Sequence, residues 1–139
     1  MSVYLDANVL ISAFHADAHS EAAYSLLARE AETFVSDIAA AELVAVFGRL
    51  ARMRRITESH ALDAITDFDA WRSGAPLGVE TEAADVALAD RFLRRMDLNL
   101  RLPDALHIAI ARRIGARLAT FDVRMAEAAR ILGVELAPL

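Results

Sequence analysis

Hydrophobic and polar positions along this chain follow two alternating periods. The runs Val3–Leu5, Thr33–Ser36 and Ala116–Phe121 are short and apolar or β-rich, as buried strands are. Between and around them, apolar residues recur three and four apart. That spacing predicts helices from about Asn8 to Phe14, over Ser20–Ala31, Ile38–Arg55, Thr57–Arg72 and Ala83–Met96, from Pro103 to Ile114, and over Val123–Leu132. Val79–Thr81 and Val134–Leu136 read as two further short strands. Strands alternating with helices predict an α/β fold with a mainly parallel sheet, in one domain over residues 1–139.

The boundaries carry their own chemistry. Ser36 or Asp37 is placed to cap the helix after the second strand, Pro103 suits a helical first turn, and Gly115 and Gly133 suit helix ends. The inward stripe of the third helix reads Ile38, Ala41, Ala45, Val46, Leu50 and Met53. Glu42 interrupts that stripe, and an ionised carboxylate on an apolar face is costly unless paired or holding a metal. Asp6 and Asp122 each follow a strand, at the carboxyl edge where parallel sheets present ligands. Asp104 stands in the first turn of a helix, where the dipole favours an anion. Each acid also has an ordinary role, as a cap, a turn residue or a paired charge.

Composition narrows the chemistry. The 139 residues include no Cys, which excludes thiolate catalysis and Cys-type zinc sites. All 15 basic residues are Arg, so there is no phosphate-loop or Schiff-base lysine. A net charge of −5 argues against a protein that coats nucleic acid, but not against a nuclease with an acidic pocket. No apolar run approaches the roughly 20 residues of a membrane span, and the N-terminus lacks a basic leader, so a cytoplasmic protein is expected. His15 and His19 stand four apart without a third ligand and read as exposed residues. His107 reads as a packing or hydrogen-bonding residue. Asp85 reads as a solvated first-turn acid, with a place near a site as the alternative. Arg49, Arg52 and Arg55 gather at a helix end, where they suit the dipole or contact RNA or an acidic partner.

In a parallel sheet Asp6 and Asp122 emerge at one edge and Glu42 reaches back to it; if the helix of Asp104 starts beside them, four carboxylates gather there and need a compensating cation. Oxygen donors favour Mg²⁺, with Mn²⁺ as the alternative, and such ions assist phosphodiester hydrolysis. The segments YLDANVL, AAAEL, LPDALHIAIA and ATFD, distributed over the whole chain, resemble PIN-domain ribonucleases and in particular VapC-type toxins. The resemblance implies a three-layer α/β/α fold and an endoribonuclease with Asp6, Glu42, Asp104 and Asp122 as metal ligands. It also implies Thr120 and Asn8 as supporting residues, a homodimer, and a VapB-like antitoxin covering the site. Under it, Ile38–Arg55 and Thr57–Arg72 form the antitoxin groove, with Phe68 and Trp71 as anchors. The rival readings are a PIN nuclease of RNA processing, a non-catalytic RNA- or protein-binding domain, and a haloacid-dehalogenase-like phosphatase. Such a phosphatase typically has a second Asp where this chain has Asn8.

Overall fold

The computed structural model describes all 139 residues. Its centre is a four-stranded parallel sheet of order β3-β2-β1-β4, built from β1 (Val3–Leu5), β2 (Thr33–Ser36), β3 (Leu77–Val79) and β4 (Arg117–Ala119). β1 lies between β2 and β4, with Tyr4 paired to Phe34 on one side and Leu118 on the other. All three residues of β1 are fully buried, as expected of a strand covered on both faces.

Successive side chains of a strand point to opposite faces, and in β1 this sorts the core into two halves. Val3 and Leu5 join Val9, Leu10, Leu26, Leu43, Phe47 and Phe68 on one face. Covering that face are α1 (Ala7–Phe14), α2 (Ser20–Arg29), α3 (Asp37–Arg52) and α4 (Glu58–Arg72). Tyr4 points the other way and packs with Phe92, Leu106, Ile108, Ile110 and Met125. Those residues belong to α5 (Ala83–Leu93), α6 (Leu102–Ile114) and α7 (Val123–Ile131). The result is a three-layer α/β/α fold. Burial of a side chain such as Phe47 contributes about 2–3 kcal/mol to it.

Several boundaries differ from the sequence expectation for local reasons. α3 stops at Arg52 because Arg54 takes a left-handed conformation, φ 56°, and the Arg55 amide returns to the Leu50 carbonyl. Its buried face is Ala39, Ala40, Leu43 and Phe47, rotated from the expected stripe, and Met53 is exposed. β3 begins at Leu77 rather than Val79, and Thr81 instead binds the Asp37 carboxylate through both its amide and its hydroxyl. The segment expected as a last strand makes one isolated parallel bridge, Leu118 with Leu136.

On α5 Val86 is exposed, whereas Asp85, expected to be solvated, is buried. Arg113 of α6 makes this possible, donating to Asp85 through Nε at 2.7 Å and Nη2 at 2.9 Å. Asp85 also accepts from the Glu82 amide, and Arg113 reaches the Glu80 carbonyl. Asp85 is thus a structural anchor at the end of α6 far from Asp104. No helix is long and apolar enough to cross a membrane.

Candidate active site at the carboxyl edge of the sheet

Parallel pairing brings the carboxyl ends of β2, β1 and β4 side by side, and the segments leaving them build the site. Asp6 leaves β1 as the N-cap of α1, its Oδ1 accepting from the Ala7 amide at 2.7 Å. From the end of β4, the Thr120 hydroxyl donates to Asp6 Oδ2 at 2.7 Å. Asn8 completes this corner: its amide donates to Thr120 Oγ1 and its carbonyl accepts from the Phe121 amide, both at 3.1 Å. Thr120 and Asn8 therefore hold Asp6. Thr120 touches Asp122 through the latter's backbone amide, not its carboxylate.

Glu42 lies in the second turn of α3, on the partly buried strip it shares with Ile38 and Val46 beside the core face. Helical side chains lean toward the N-terminus, so Glu42 reaches back to the sheet edge. There its Oε1 meets His107 Nε2 at 2.5 Å, and the same nitrogen stands 3.5 Å from Asp6 Oδ1. His107 comes from α6, three residues after Asp104. Its other ring nitrogen, Nδ1, lies 2.6 Å from the Tyr4 hydroxyl, which is 2.6 Å from Ser36 Oγ.

Charge and burial act together on these groups. Burial pushes the Asp6 carboxyl above its ordinary range, and the His107 ring, the Thr120 hydroxyl and the Ala7 amide offset this in part. Burial alone would lower the His107 pKa, but the hydrogen bond to Glu42 and the charges of Asp6, Glu42 and Asp104 raise it overall. The Tyr4 phenol is raised by burial and stays protonated.

The structure does not gather all four acids into one ligand set, and no three His, Asp or Glu side chains converge closely enough to share an ion as they stand. Asp122 caps α7, with Oδ1 accepting from the Arg124 and Met125 amides. Asp104 accepts on Oδ2 from the Arg101 amide and guanidinium at the start of α6. Yet the donor set suits a hard divalent cation. Glu42 Oε2, Asp104 Oδ1 and Asp122 Oδ2 have no protein partner, and no Arg pairs with Asp6 or Glu42.

The expectation for Phe68 is corrected, and the other residues singled out from the sequence are placed as follows. Phe68 is a core residue, 1% exposed, and Trp71 is partly buried against Phe14 and Phe68, so Phe68 cannot anchor a partner. What α3 and α4 do present is a cleft of about 360 Å³ lined by Val44, Gly48, Ala51, Arg52, Glu58, Ala61, Leu62 and Ile65. Arg49, Arg52 and Arg55 are exposed at the far end of α3, at least seven residues or about 10 Å of rise beyond Glu42. They do not join the carboxylates. His15 and His19 are not on a common helix: His15 packs edge-on against Phe47, and His19 stacks on Phe121 with centroids 4.4 Å apart. The hydrogen-bonded link from Tyr4 through His107 to Glu42 has no local sequence signal, since Tyr4 and His107 are 103 residues apart.

Comparison with known proteins agrees with this architecture. A family model described as PIN domain matches residues 3–131. Ribonuclease VapC3 of Pyrobaculum aerophilum is 26% identical over 127 residues, covering 91% of this chain and 94% of its own. Among solved structures, VapC20 of Mycobacterium tuberculosis, a sarcin-ricin loop cleaving toxin, superposes with a TM-score of 0.73 at 21% identity, over 98% of this chain and 99% of its own. FitAcB of Neisseria gonorrhoeae gives 0.71 at 17% identity, over 98% and 96%. VapBC2 of Rickettsia felis, bound to a DNA fragment from its promoter, gives 0.67 at 15% identity, over 99% and 98%.

Proposed function

The chain belongs to the PIN-domain family, and on that premise we propose that it is a divalent-metal-dependent endoribonuclease and the toxin of a toxin–antitoxin pair. The observation that carries the nuclease reading is the meeting of Asp6 and Glu42 on His107 Nε2, with Asp104 close enough to act on the same ring. Asp6 and Glu42, with Asp104 and Asp122 moving in, would hold a Mg²⁺ or Mn²⁺ ion, which would supply Lewis acidity toward a phosphodiester and make a bound water more acidic. Thr120, itself held by Asn8, fixes the Asp6 carboxylate, and burial makes that carboxylate's charge costly unless a cation compensates it.

The resemblance to VapC proteins and the structural likeness to toxin–antitoxin assemblies support an antitoxin partner. The cleft between α3 and α4 fits an apolar antitoxin segment, with Val44, Leu62 and Ile65 as its contacts. Exposed Val86, Met96 and Leu102 supply apolar surface for a homodimer.

The test is direct. Purified protein is expected to cut RNA in Mg²⁺ or Mn²⁺, to stop on chelation, and to lose at least about 100-fold in rate on Asp6→Asn, more than is typical for an outer-shell partner. Cleavage that persists in a folded Asp6→Asn protein would sink the reading.

A further inference from the structure

Tyr4 occupies the middle of β1 and is fully buried among apolar side chains of α5, α6 and α7. A Phe would fill the same space. A hydroxyl in such a place is costly unless it is hydrogen-bonded, and one bond would suffice to satisfy it. Here it makes two, to Ser36 Oγ and to His107 Nδ1, and the chain of contacts continues through the ring to Glu42. Four residues from β2, β1, α6 and α3 are thereby joined in one line that begins in the core and ends at the candidate site.

The donors and acceptors assign a direction to this line. A carboxylate oxygen accepts, so Nε2 of His107 donates to Glu42. In a neutral ring Nδ1 then accepts, and the Tyr4 hydroxyl donates to it. The Ser36 hydroxyl donates to Tyr4, and Ser36 Oγ in turn accepts from the Ala39 amide at the start of α3. Every polar atom in the line is satisfied in that arrangement. The line thus fixes both the ring orientation of His107 and the nitrogen that carries its proton. It also fixes the place at which Glu42 Oε1 is held, leaving Oε2 without a protein partner.

Building on the nuclease reading above, we propose that Tyr4 and His107 are positioning residues: the Ser36–Tyr4–His107 line holds Glu42 beside Asp6 and sets its affinity for the divalent cation. The line reaches the site through His107 Nε2, which is hydrogen-bonded to Glu42 and stands 3.5 Å from Asp6.

Tyr4→Phe removes one oxygen and keeps the ring, so the fold is expected to persist, as circular dichroism and a thermal melt will report. Two measurements separate positioning from packing. In metal-free protein, in buffer alkaline enough to keep the ring neutral, long-range ¹H–¹⁵N spectra are expected to show His107 as the Nε2–H tautomer. In Tyr4→Phe they are expected to show a mixture. Calorimetry with Mn²⁺ is expected to give a Kd about 10–100-fold weaker in Tyr4→Phe than in the parent protein, the usual cost of losing an outer-shell partner. An unchanged His107 tautomer, or a changed tautomer with an unchanged Mn²⁺ Kd, overturns the proposal. If the parent protein itself binds no Mn²⁺, the metal-dependent nuclease reading fails and the proposed control of metal affinity fails with it; the tautomer spectra then report separately whether Tyr4 orients His107.

Discussion

The Thr120 hydroxyl donates to Asp6 Oδ2 across 2.7 Å, although 114 residues separate the two in the chain. Its oxygen also accepts from the Asn8 side-chain amide and the Asp122 backbone amide, so the corner at residues 6–8 and the segment 120–122 are tied together on one atom. Thr120→Val keeps the shape and removes all three bonds. The expected cost is about 1–3 kcal/mol, because buried partners lose their bonds. RNA cleavage should fall about 10–100-fold, the range for groups that orient a metal ligand. Thr120→Ser should stay close to the parent protein in both melting temperature and rate.

The Asp85–Arg113 pair predicts an asymmetry. Asp85 has 1% of its side chain exposed and Arg113 has 26%. Arg113→Met leaves a buried anion without its cation and should cost about 3–5 kcal/mol. Asp85→Ala leaves a guanidinium that reaches solvent and still meets Glu82, so about 1–2 kcal/mol is expected. Urea melts of the two variants check the order, and equal losses would contradict it. Per folded molecule, cleavage should be unchanged in both, because the pair is at the far end of α6.

Asp37 sets part of the acid limit of stability. Its partial burial raises its pKa, but hydrogen bonds from the Thr81 hydroxyl and amide and the Ile38 amide outweigh this and lower it overall. A carboxylate whose folded pKa is depressed contributes stability above its unfolded value of 3.8, and loses it as pH falls through the folded value. Asp37→Asn should therefore narrow the gap in melting temperature between neutral and strongly acid buffer. A gap as wide as in the parent protein would count against the Thr81 link.

The cleft between α3 and α4 separates binding from catalysis. Leu62 is 56% exposed on its rim, so Leu62→Asp should leave folding and RNA cleavage intact. Placed against an apolar antitoxin segment, the new charge should weaken binding at least about 10-fold, as one unpaired buried charge readily does. Titration of the variant with the antitoxin checks this, and undiminished affinity would place the antitoxin elsewhere.

How far the sequence foretold this site depended on whether a residue's partner was near it in the chain. Asp6 and Asp122 were legible as carboxylates after strands, and Ser36, Gly115 and Gly133 as helix ends, since caps and turns are local chemistry. The period of α3 was legible but not its phase: Ala-rich helices offer small residues on every face, so Ala39 and Ala40 could not be told from Ala41 and Ala45. Asp85 looked solvated because Arg113, which permits its burial, is 28 residues away. His107 was legible as a hydrogen-bonding residue, but its bridge between Tyr4 and Glu42 exists only once β1, α3 and α6 are packed together.

The strand order has a consequence for synthesis on the ribosome. β1 lies beside β4, the last of the sheet's strands in the chain, so the residues of β1, β2 and β3 are all made well before residues 117–119. Until then Asp6 lacks Thr120, and until α6 emerges Glu42 lacks His107. A polypeptide that stops before residue 107 therefore carries Asp6 and Glu42 without His107 and Thr120, and the bonds that hold these two carboxylates are complete only once residues 117–122 have joined the sheet.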